Sequence, residues 1–241
     1  MPAASEPAAK AYVEKAVKAY TGGKPELVEK GKVSRLALRG TLLYFVDNQR
    51  VPVEASRSIA AVWPDRFAGR DEYQVRGEKV TINAWLLRPH LTIMQGNQEH
   101  APSNRTEAER NFAADETAQH WMALFLPLTD PKAIVFDLRK QTVGQQAVQT
   151  LKISLGSFPL YQLTFDANTD ALLRVGYTIK EQGTPIQKQW SMIEHKPGPD
   201  GLLLPGKMEC RWNDNVVEQW IAEKWEFPAA ISDDEFSPPK K

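Results

Sequence analysis

The sequence predicts a mainly β protein of the α+β class, with helices covering the concave side of a strongly curved antiparallel sheet. Three observations predict this class. About ten or eleven segments alternate apolar and polar residues, and turn signals separate them at intervals of about 8–12 residues. Only two segments have the period of a substantial helix. No linker divides the chain. A sheet with so many strands tends to curl, and we therefore expect a single domain over residues 1–241.

The first predicted helix lies within residues 1–23. Its apolar residues recur at three- and four-residue spacing, which is typical of a helix with one buried face. Ser5 is the expected N-cap, and the two glycines at positions 22 and 23 end the helix.

The second predicted helix is central and lies within residues 104–127. Asn104 or Thr106 is the expected N-cap, and Pro127 is the expected end. The last turns of this helix are much more apolar than its first turns. We therefore expect the central helix to act as a lid or plug on the concave face of the sheet.

The strands fall into two groups, within residues 33–95 and 147–227. Most of them place apolar residues on one face and polar residues on the other, as in a sheet with one solvated side. In the second strand, one charged residue, Arg57, lies on the mostly apolar face. The chain ends in a short turn and a polar tail, residues 228–241.

Composition excludes several classes of protein. Of the 241 residues, 30 are Lys or Arg and 30 are Asp or Glu, so the formal net charge is zero and nucleic acid is not the expected partner. No apolar run approaches the roughly 20 residues of a transmembrane helix. The first ten residues do not resemble a signal peptide. The chain is therefore either cytosolic or the mature form of an exported protein.

Motifs for catalysis or metal binding are absent from the sequence. Residues 201–207 have the spacing of a phosphate-binding loop, but Met208 stands where Ser or Thr is needed and a strand follows. The four histidines have no zinc-site spacing, and there is no GxSxG sequence. Cys210 lies on an apolar strand face and is expected to be a small core residue. We predict no metal, no cofactor and no enzymatic activity, although carboxylates converging in a cleft would favour an enzyme.

Aromatic residues are the most informative feature. The chain has seven Trp, six Tyr and nine Phe, and many of them lie on the apolar strand faces. Two helices are few for a sheet of this size, so part of its concave side is either an apolar cleft that accepts a lipid chain or is filled by long side chains. The predicted cavity lining consists of Leu38, Leu42, Tyr44, Ile59, Trp63, Trp85, Trp121, Leu124, Phe125, Phe165 and Tyr177.

The C-terminal third resembles the LolA/LolB-like superfamily of periplasmic lipoprotein carriers and receptors. Three segments carry this resemblance: LTFDANTDALLR at residues 163–174, DGLLLPGKME at residues 200–209, and KWEFPAAISDDEFSPP at residues 224–239. In the last segment, Ser232 separates the isoleucine from the two aspartates of the family phrase. The N-terminal helix followed by a long strand is also similar.

The resemblance implies an incomplete antiparallel β-barrel of about eleven strands, with helices at its open mouth. It also implies an exported, periplasmic protein that transports lipid or lipoprotein acyl chains in outer-membrane biogenesis. Other members of this fold sense envelope stress, so an envelope protein is a second expected partner. In the carriers an arginine secures the lid, and Arg39, Arg57 and Arg70 are the candidates here.

Two principal hypotheses follow. In the first, the protein binds a hydrophobic ligand inside the half-barrel, and the central helix exchanges its own Trp121, Leu124 and Phe125 for the cargo. In the second, the protein is a sensor or protein-interaction module of the same fold with a filled cavity. A cavity too small for an alkyl chain would favour the second hypothesis.

Overall fold

A single antiparallel sheet of 13 strands dominates the computed structural model, which describes residues 4–46 and 49–239. Its order is β6-β5-β4-β3-β2-β1-β15-β14-β11-β10-β9-β8-β7, and β12 and β13 form a separate pair. The strands are β1 (Val33–Val46), β2 (Gln49–Val62), β3 (Arg66–Val75), β4 (Glu78–Leu87), β5 (His90–Gln95), β6 (Gln98–Glu99), β7 (Ile134–Val143), β8 (Gln146–Ser154), β9 (Tyr161–Asp166), β10 (Leu172–Glu181), β11 (Thr184–Ile193), β12 (Lys196–Pro197), β13 (Leu203–Leu204), β14 (Lys207–Trp212) and β15 (Asn215–Glu226).

The pairing of β1 with β15 joins the two halves of the chain. Strands β6 and β7 form the two edges of the sheet as described, so the sheet does not close. This agrees with a mainly β, incomplete barrel. The strand count differs from the predicted eleven, because the sequence analysis missed β6 and β7.

These two strands were missed for physical reasons. Strand β6 has only two residues, both exposed, within a polar stretch. In β7 the register shifts between Phe136 and Arg139, and Asp137 has a positive φ of 58°. This irregularity interrupts the period of two. The strand predicted to start near Leu202 begins instead at Lys207, because residues 203 and 204 pair with β12.

Helix α1 (Pro7–Tyr20) confirms the apolar stripe in the first predicted helix. Its N-cap is Glu6 and not Ser5. The Ser5 hydroxyl instead accepts a hydrogen bond from the Val135 N–H at 3.1 Å, and the Glu6 N–H donates to the Val135 carbonyl at 2.9 Å. Both contacts fasten the start of α1 to the edge strand β7. A short helix, α2 (Leu27–Lys30), follows before β1. The buried stripe of α1 consists of Ala9, Tyr12, Val13, Ala16, Val17 and Tyr20.

The two faces of the sheet have different partners. The concave face packs against helices, whereas part of the convex face is covered by the C-terminal tail. There, Ile231 and Phe236 pack with Ala60, and the Arg35 guanidinium bonds the Glu235 carboxylate at 2.6 Å. The last two residues of the tail lie outside the described part of the chain. No helix within the described ranges combines the length and apolarity needed to span a membrane.

Gly40 provides a test of how closely β1 approaches β15. A Cβ atom at Gly40 would lie 1.8 Å from the Gln219 carbonyl oxygen. At Gly176 the nearest atom to an added Cβ would be the Gln162 carbonyl oxygen, at 3.8 Å. We therefore expect Gly40→Ala to lower the free energy of unfolding by about 1–3 kcal/mol. Gly176→Ala is the control and should leave it nearly unchanged. Urea denaturation of both variants measures the difference, and equal midpoints would contradict the expectation.

Candidate functional site

The concave face is crossed by residues 105–129, which we call the covering segment. It begins with helix α3 (Arg105–Glu116). The Asn104 side chain caps this helix by accepting a hydrogen bond from the Glu107 N–H at 3.2 Å. Of the two predicted N-caps, Asn104 is therefore the correct one.

The rest of the covering segment is not a regular α-helix. Thr117–Trp121 form a π-helical turn in which all five residues are buried, and such turns are frequent at functional sites. Phe125 then adopts a left-handed conformation with φ of 61°, and α4 (Leu126–Thr129) follows. The prediction that Pro127 ends the central helix is wrong, because Pro127 lies in the first turn of α4. It is tolerated there because the backbone N–H in that turn has no partner within the helix.

Most of the predicted lining residues lie together between the sheet and the covering segment. Seven of them are at most 5% exposed: Leu38, Ile59, Trp121, Leu124, Phe125, Phe165 and Tyr177. Three more are partly buried and pack against the same core, namely Leu42, Tyr44 and Trp63. The residues named from the sequence therefore form one apolar cluster.

Trp85 is the exception among these residues. It alternates with Ala84 and Leu86, which are buried, and it lies opposite Ala68 and Thr92 on the neighbouring strands. Because successive side chains of a strand point to opposite faces, Trp85 faces away from the concave side. The correct apolar set of β4 was visible in the sequence as Val80, Ile82, Ala84 and Leu86.

Aromatic side chains of the covering segment occupy the space beneath it. The Trp121 ring contacts the Trp63 ring edge-on, with 5.0 Å between the ring centres. The Phe125 ring stacks on the Tyr20 ring, with 4.4 Å between the ring centres. A void of about 10 Å³ beside Phe125 is large enough for about one water molecule. An open groove of about 960 Å³ lies between α1, the end of the covering segment in α4, and the start of β7. In the structure, side chains of the covering segment therefore fill this part of the concave face.

Arg57 connects the sheet to the covering segment. Its guanidinium binds both oxygens of Asp71 at 2.7 and 2.8 Å, the Glu218 carboxylate at 2.9 Å, and the Gln119 side-chain oxygen in the π-helical turn at 3.3 Å. It also lies 4.4 Å from the centre of the Trp220 ring. A single charge thus joins three strands to the covering segment.

The other two candidate arginines do not reach the covering segment in this structure. Arg39 pairs with Glu223 and Arg70 pairs with Glu72, and both arginine side chains are more than half exposed. The lone charged position on the apolar face of β2 was therefore the informative signal for Arg57. The acidic partners could not be selected from the sequence, because they come from distant strands.

A second polar contact anchors the end of α3. Asp115 accepts hydrogen bonds from the Lys188 ammonium and the Tyr177 hydroxyl, each at 2.5 Å. The Lys188 nitrogen also lies 4.4 Å from the centre of the Trp212 ring. Burial lowers the pKa of Lys188, but Asp115 more than offsets this, and the net shift is upward. Lys188 therefore remains charged, and the contact is an ion pair.

Several polar atoms of the covering segment are buried without a hydrogen-bond partner among the described residues. They are Glu116 Oε2, Gln119 Nε2, His120 Nδ1 and Trp121 Nε1. Each unsatisfied buried group costs about 1–3 kcal/mol. Burial also raises the pKa of the Glu116 carboxyl well above its usual range, so that the neutral form is favoured. The covering segment is therefore held less firmly than its apolar packing alone would imply.

We expect His120 to make the stability of the folded chain pH-dependent. Its Nε2 lies 2.8 Å from the Ser34 hydroxyl, its ring stacks on Trp225, and burial lowers its pKa from 6.5 to about 3. Between these values the unfolded chain binds a proton that the folded chain does not. We therefore expect this contribution to stability to be complete above pH 6.5 and to fall as the pH decreases toward 3.

The His120→Phe variant isolates this effect. It should remove up to about 1.4 kcal/mol per pH unit from the slope of unfolding free energy against pH between those limits. Glu116 contributes a pH dependence of stability of the opposite sign, since its pKa is raised in the folded chain. This contribution is common to both proteins and cancels in the comparison. Chemical denaturation at several pH values measures the slope. His100→Gln, at an exposed position, is the control, and an unchanged slope for His120→Phe would refute the assignment.

The converging carboxylates do not form an open catalytic cleft. Asp71, Glu218 and Asp115 are each engaged with Arg57 or Lys188, and each is at least two-thirds covered. Within the described ranges, no three His, Cys, Asp or Glu residues gather as metal ligands. Burial raises the pKa of the Cys210 thiol well above its usual range, so the thiol stays protonated.

Comparison with known proteins found similarity at the level of structure. No protein-family model matches the chain, and no curated protein matches it. A LolA superfamily protein from Nitrosomonas europaea matches with a TM-score of 0.60 and 10% identity, covering 95% of this chain and 97% of the other. A domain named as an outer membrane lipoprotein-sorting protein, from Vibrio parahaemolyticus, matches with a TM-score of 0.50 and 12% identity, covering 95% and 96%.

A DUF1329 family protein from Desulfovibrio piger is similar as well, with a TM-score of 0.51, 9% identity and coverage of 95% and 97%. These identities are low, but the matches extend over nearly the full length of both chains. They agree with the incomplete antiparallel barrel. The protein therefore has the LolA-like fold.

Proposed function

We propose that the protein is an exported, non-enzymatic carrier or receptor for a hydrophobic ligand, specifically a lipid or the acyl chain of a lipoprotein. The observation that carries this proposal is the apolar concave face, which the covering segment fills with its own Trp121, Leu124 and Phe125. An acyl chain has the same apolar character and can occupy the same space once the segment moves. The fold shared with a lipoprotein-sorting domain supports this assignment.

The energetics of exchange favour a reversible process. Each methylene group of the ligand gains about 0.8 kcal/mol when it leaves water, while the plug loses a comparable burial of its aromatic rings. The unpartnered polar atoms at Glu116, Gln119 and His120 regain hydrogen bonds to water when the segment lifts. The lost burial of the plug therefore opposes the two terms that favour the loaded state, and we expect exchange between the two states to be reversible.

We propose the periplasm, or another exported compartment, as the location, and outer-membrane biogenesis as the process. The support is the similarity to a LolA superfamily protein and to an outer membrane lipoprotein-sorting domain. In this setting the cargo is handed between proteins, so an envelope protein is a second expected partner.

Two measurements test the proposal. Native mass spectrometry of gently purified protein should detect co-purified lipid, and titration with dansyl-undecanoic acid should show saturable binding with one site per chain. Bound probe should also quench tryptophan fluorescence, because Trp121 and Trp63 lie at the proposed site. A protein that carries no lipid and shows no saturable binding of this probe would refute the carrier function.

That negative outcome would favour the alternative, an envelope sensor or protein-interaction module with a filled interior. One observation supports this alternative, namely the void of only about 10 Å³ beside Phe125. The two functions differ in whether the covering segment moves. The amides of the covering segment should exchange their hydrogens faster than those of the central strands if the protein is a carrier. They should exchange as slowly as those strands if the protein is a module with a permanent core.

A further inference from the structure

Arg88 lies at the point where the two ends of the open sheet approach each other. It belongs to the turn between β4 and β5, and its guanidinium carbon is 4.2 Å from the centre of the Phe158 ring, in the loop between β8 and β9. The same carbon is 5.6 Å from the centre of the Trp121 ring of the covering segment. The Arg88 side chain therefore bridges both sides of the mouth and touches the plug.

Two of the three guanidinium nitrogens of Arg88 lack a hydrogen-bond partner among the described residues. Its Nε and Nη2 atoms are buried, and no described residue forms a hydrogen bond with either of them. Burial lowers the pKa of Arg88, although Asp65 and Tyr161 act in the opposite direction. A guanidinium remains protonated in proteins and is costly to bury without a counter-charge. Two aromatic contacts offset part of this cost, but they satisfy none of its N–H donors.

A surface groove lies on the other side of Phe158 from this arginine. It has a volume of about 440 Å³ and lies between α3, the end of β10 and the loop containing Phe158. Its lining includes Phe158, Ile179 and Ala114, two cationic residues, Arg110 and Lys180, and one acidic residue, Glu107, whose carboxylate accepts a hydrogen bond from the Gln182 N–H. Neither cation has an ion-pair partner among the described residues. Since Phe158 lines the groove and also contacts Arg88, the guanidinium lies directly behind the groove wall.

We propose that Arg88 binds the anionic head group of an amphiphile that enters through this groove, so that the ligand carries a carboxylate or phosphate and is not a neutral lipid. This inference rests on the proposed carrier function and specifies its ligand class. The apolar chain replaces Trp121 beneath the covering segment, while the head group accepts hydrogen bonds from the Arg88 N–H donors. Arg110 and Lys180 attract the same charge at the entrance.

The test compares dansyl-undecanoic acid with its methyl ester, which lacks the negative charge and is larger by one methyl group. The wild-type protein should bind the acid about tenfold or more tightly than the ester, because a charge-assisted hydrogen bond contributes that much. Arg88→Met should remove this preference while the affinity for the ester changes little. Arg88→Lys should retain part of it. Arg70→Met, which removes a positive charge from an exposed position, should preserve the full preference.

Each result decides the matter. Equal affinity of the wild-type protein for acid and ester, or an undiminished preference in Arg88→Met, would overturn the head-group assignment and leave the carrier function intact. Failure of the wild-type protein to bind either probe would overturn the carrier function itself. Binding of inorganic phosphate as tightly as the acid would show an anion site that gains nothing from the chain, and would also overturn the proposal. If Arg88→Met does not fold, as judged by circular dichroism, the wild-type ratio and Arg88→Lys decide.

Discussion

Replacing Arg57 with methionine is expected to lower the free energy of unfolding by about 3–5 kcal/mol, the range observed when one partner of a buried ion pair is removed. The substitution leaves the Asp71 and Glu218 carboxylates without their cation in a largely covered site. It also removes the contact to Gln119. For a domain of this size the midpoint of thermal unfolding should fall by about 6–20 °C. Circular dichroism during heating measures the change.

Arg70→Met is the matched control for this prediction. It removes the same charged group from an exposed ion pair on the neighbouring strand, and exposed pairs contribute about 0–1 kcal/mol. Arg57→Met should also speed the association of dansyl-undecanoic acid, because one tie between the sheet and the covering segment is lost. Similar stability losses in the two variants would show that the Arg57 cluster is not a buried network.

Trp121→Ala is the second substitution with a large expected effect. The Trp121 side chain is fully buried against Trp63 and Phe67, beneath the covering segment to which it belongs. Its removal should therefore cost about 3–5 kcal/mol of unfolding free energy. The protein should nevertheless bind dansyl-undecanoic acid more tightly, by about tenfold or more, because the ligand no longer has to displace the indole ring. Urea denaturation and fluorescence titration measure the two effects.

Phe236→Ala separates plug removal from general destabilisation. Phe236 is also buried, but it belongs to the C-terminal tail and packs against the convex face. This variant should lose stability without any gain in affinity for the probe. A Trp121→Ala protein that loses stability and binds the probe no better than wild type would show that the indole is a core residue and not a plug.

Local sequence patterns were enough to predict the elements that depend on neighbouring residues. The alternation in β1, β2, β10 and β15 predicted these strands, since burial of one face of a sheet imposes a period of two. The apolar stripe from Ala9 to Tyr20 predicted α1, because burial of one face of a helix imposes a spacing of three and four residues. Ten of the eleven predicted lining residues lie together, and those that belong to strands do so because the apolar faces of the strands turn toward one side.

Tertiary structure alone decided the features that depend on distant residues. Ser5 forms contacts with β7, more than a hundred residues away, and therefore does not cap α1. The π-helical turn and the left-handed Phe125 break the predicted central helix in a segment that is buried against the sheet.

The sequence by itself determined a curved antiparallel sheet with an apolar concave face, because that property is repeated locally in each strand. Only the folded chain decided how this face is closed. Arg57 meets Asp71, Gln119 and Glu218 through strand pairing across the whole chain, and Arg88 reaches Phe158 only where the two ends of the sheet converge. The energy of a buried charge depends on partners that are distant in sequence, and local periodicity carries no information about them.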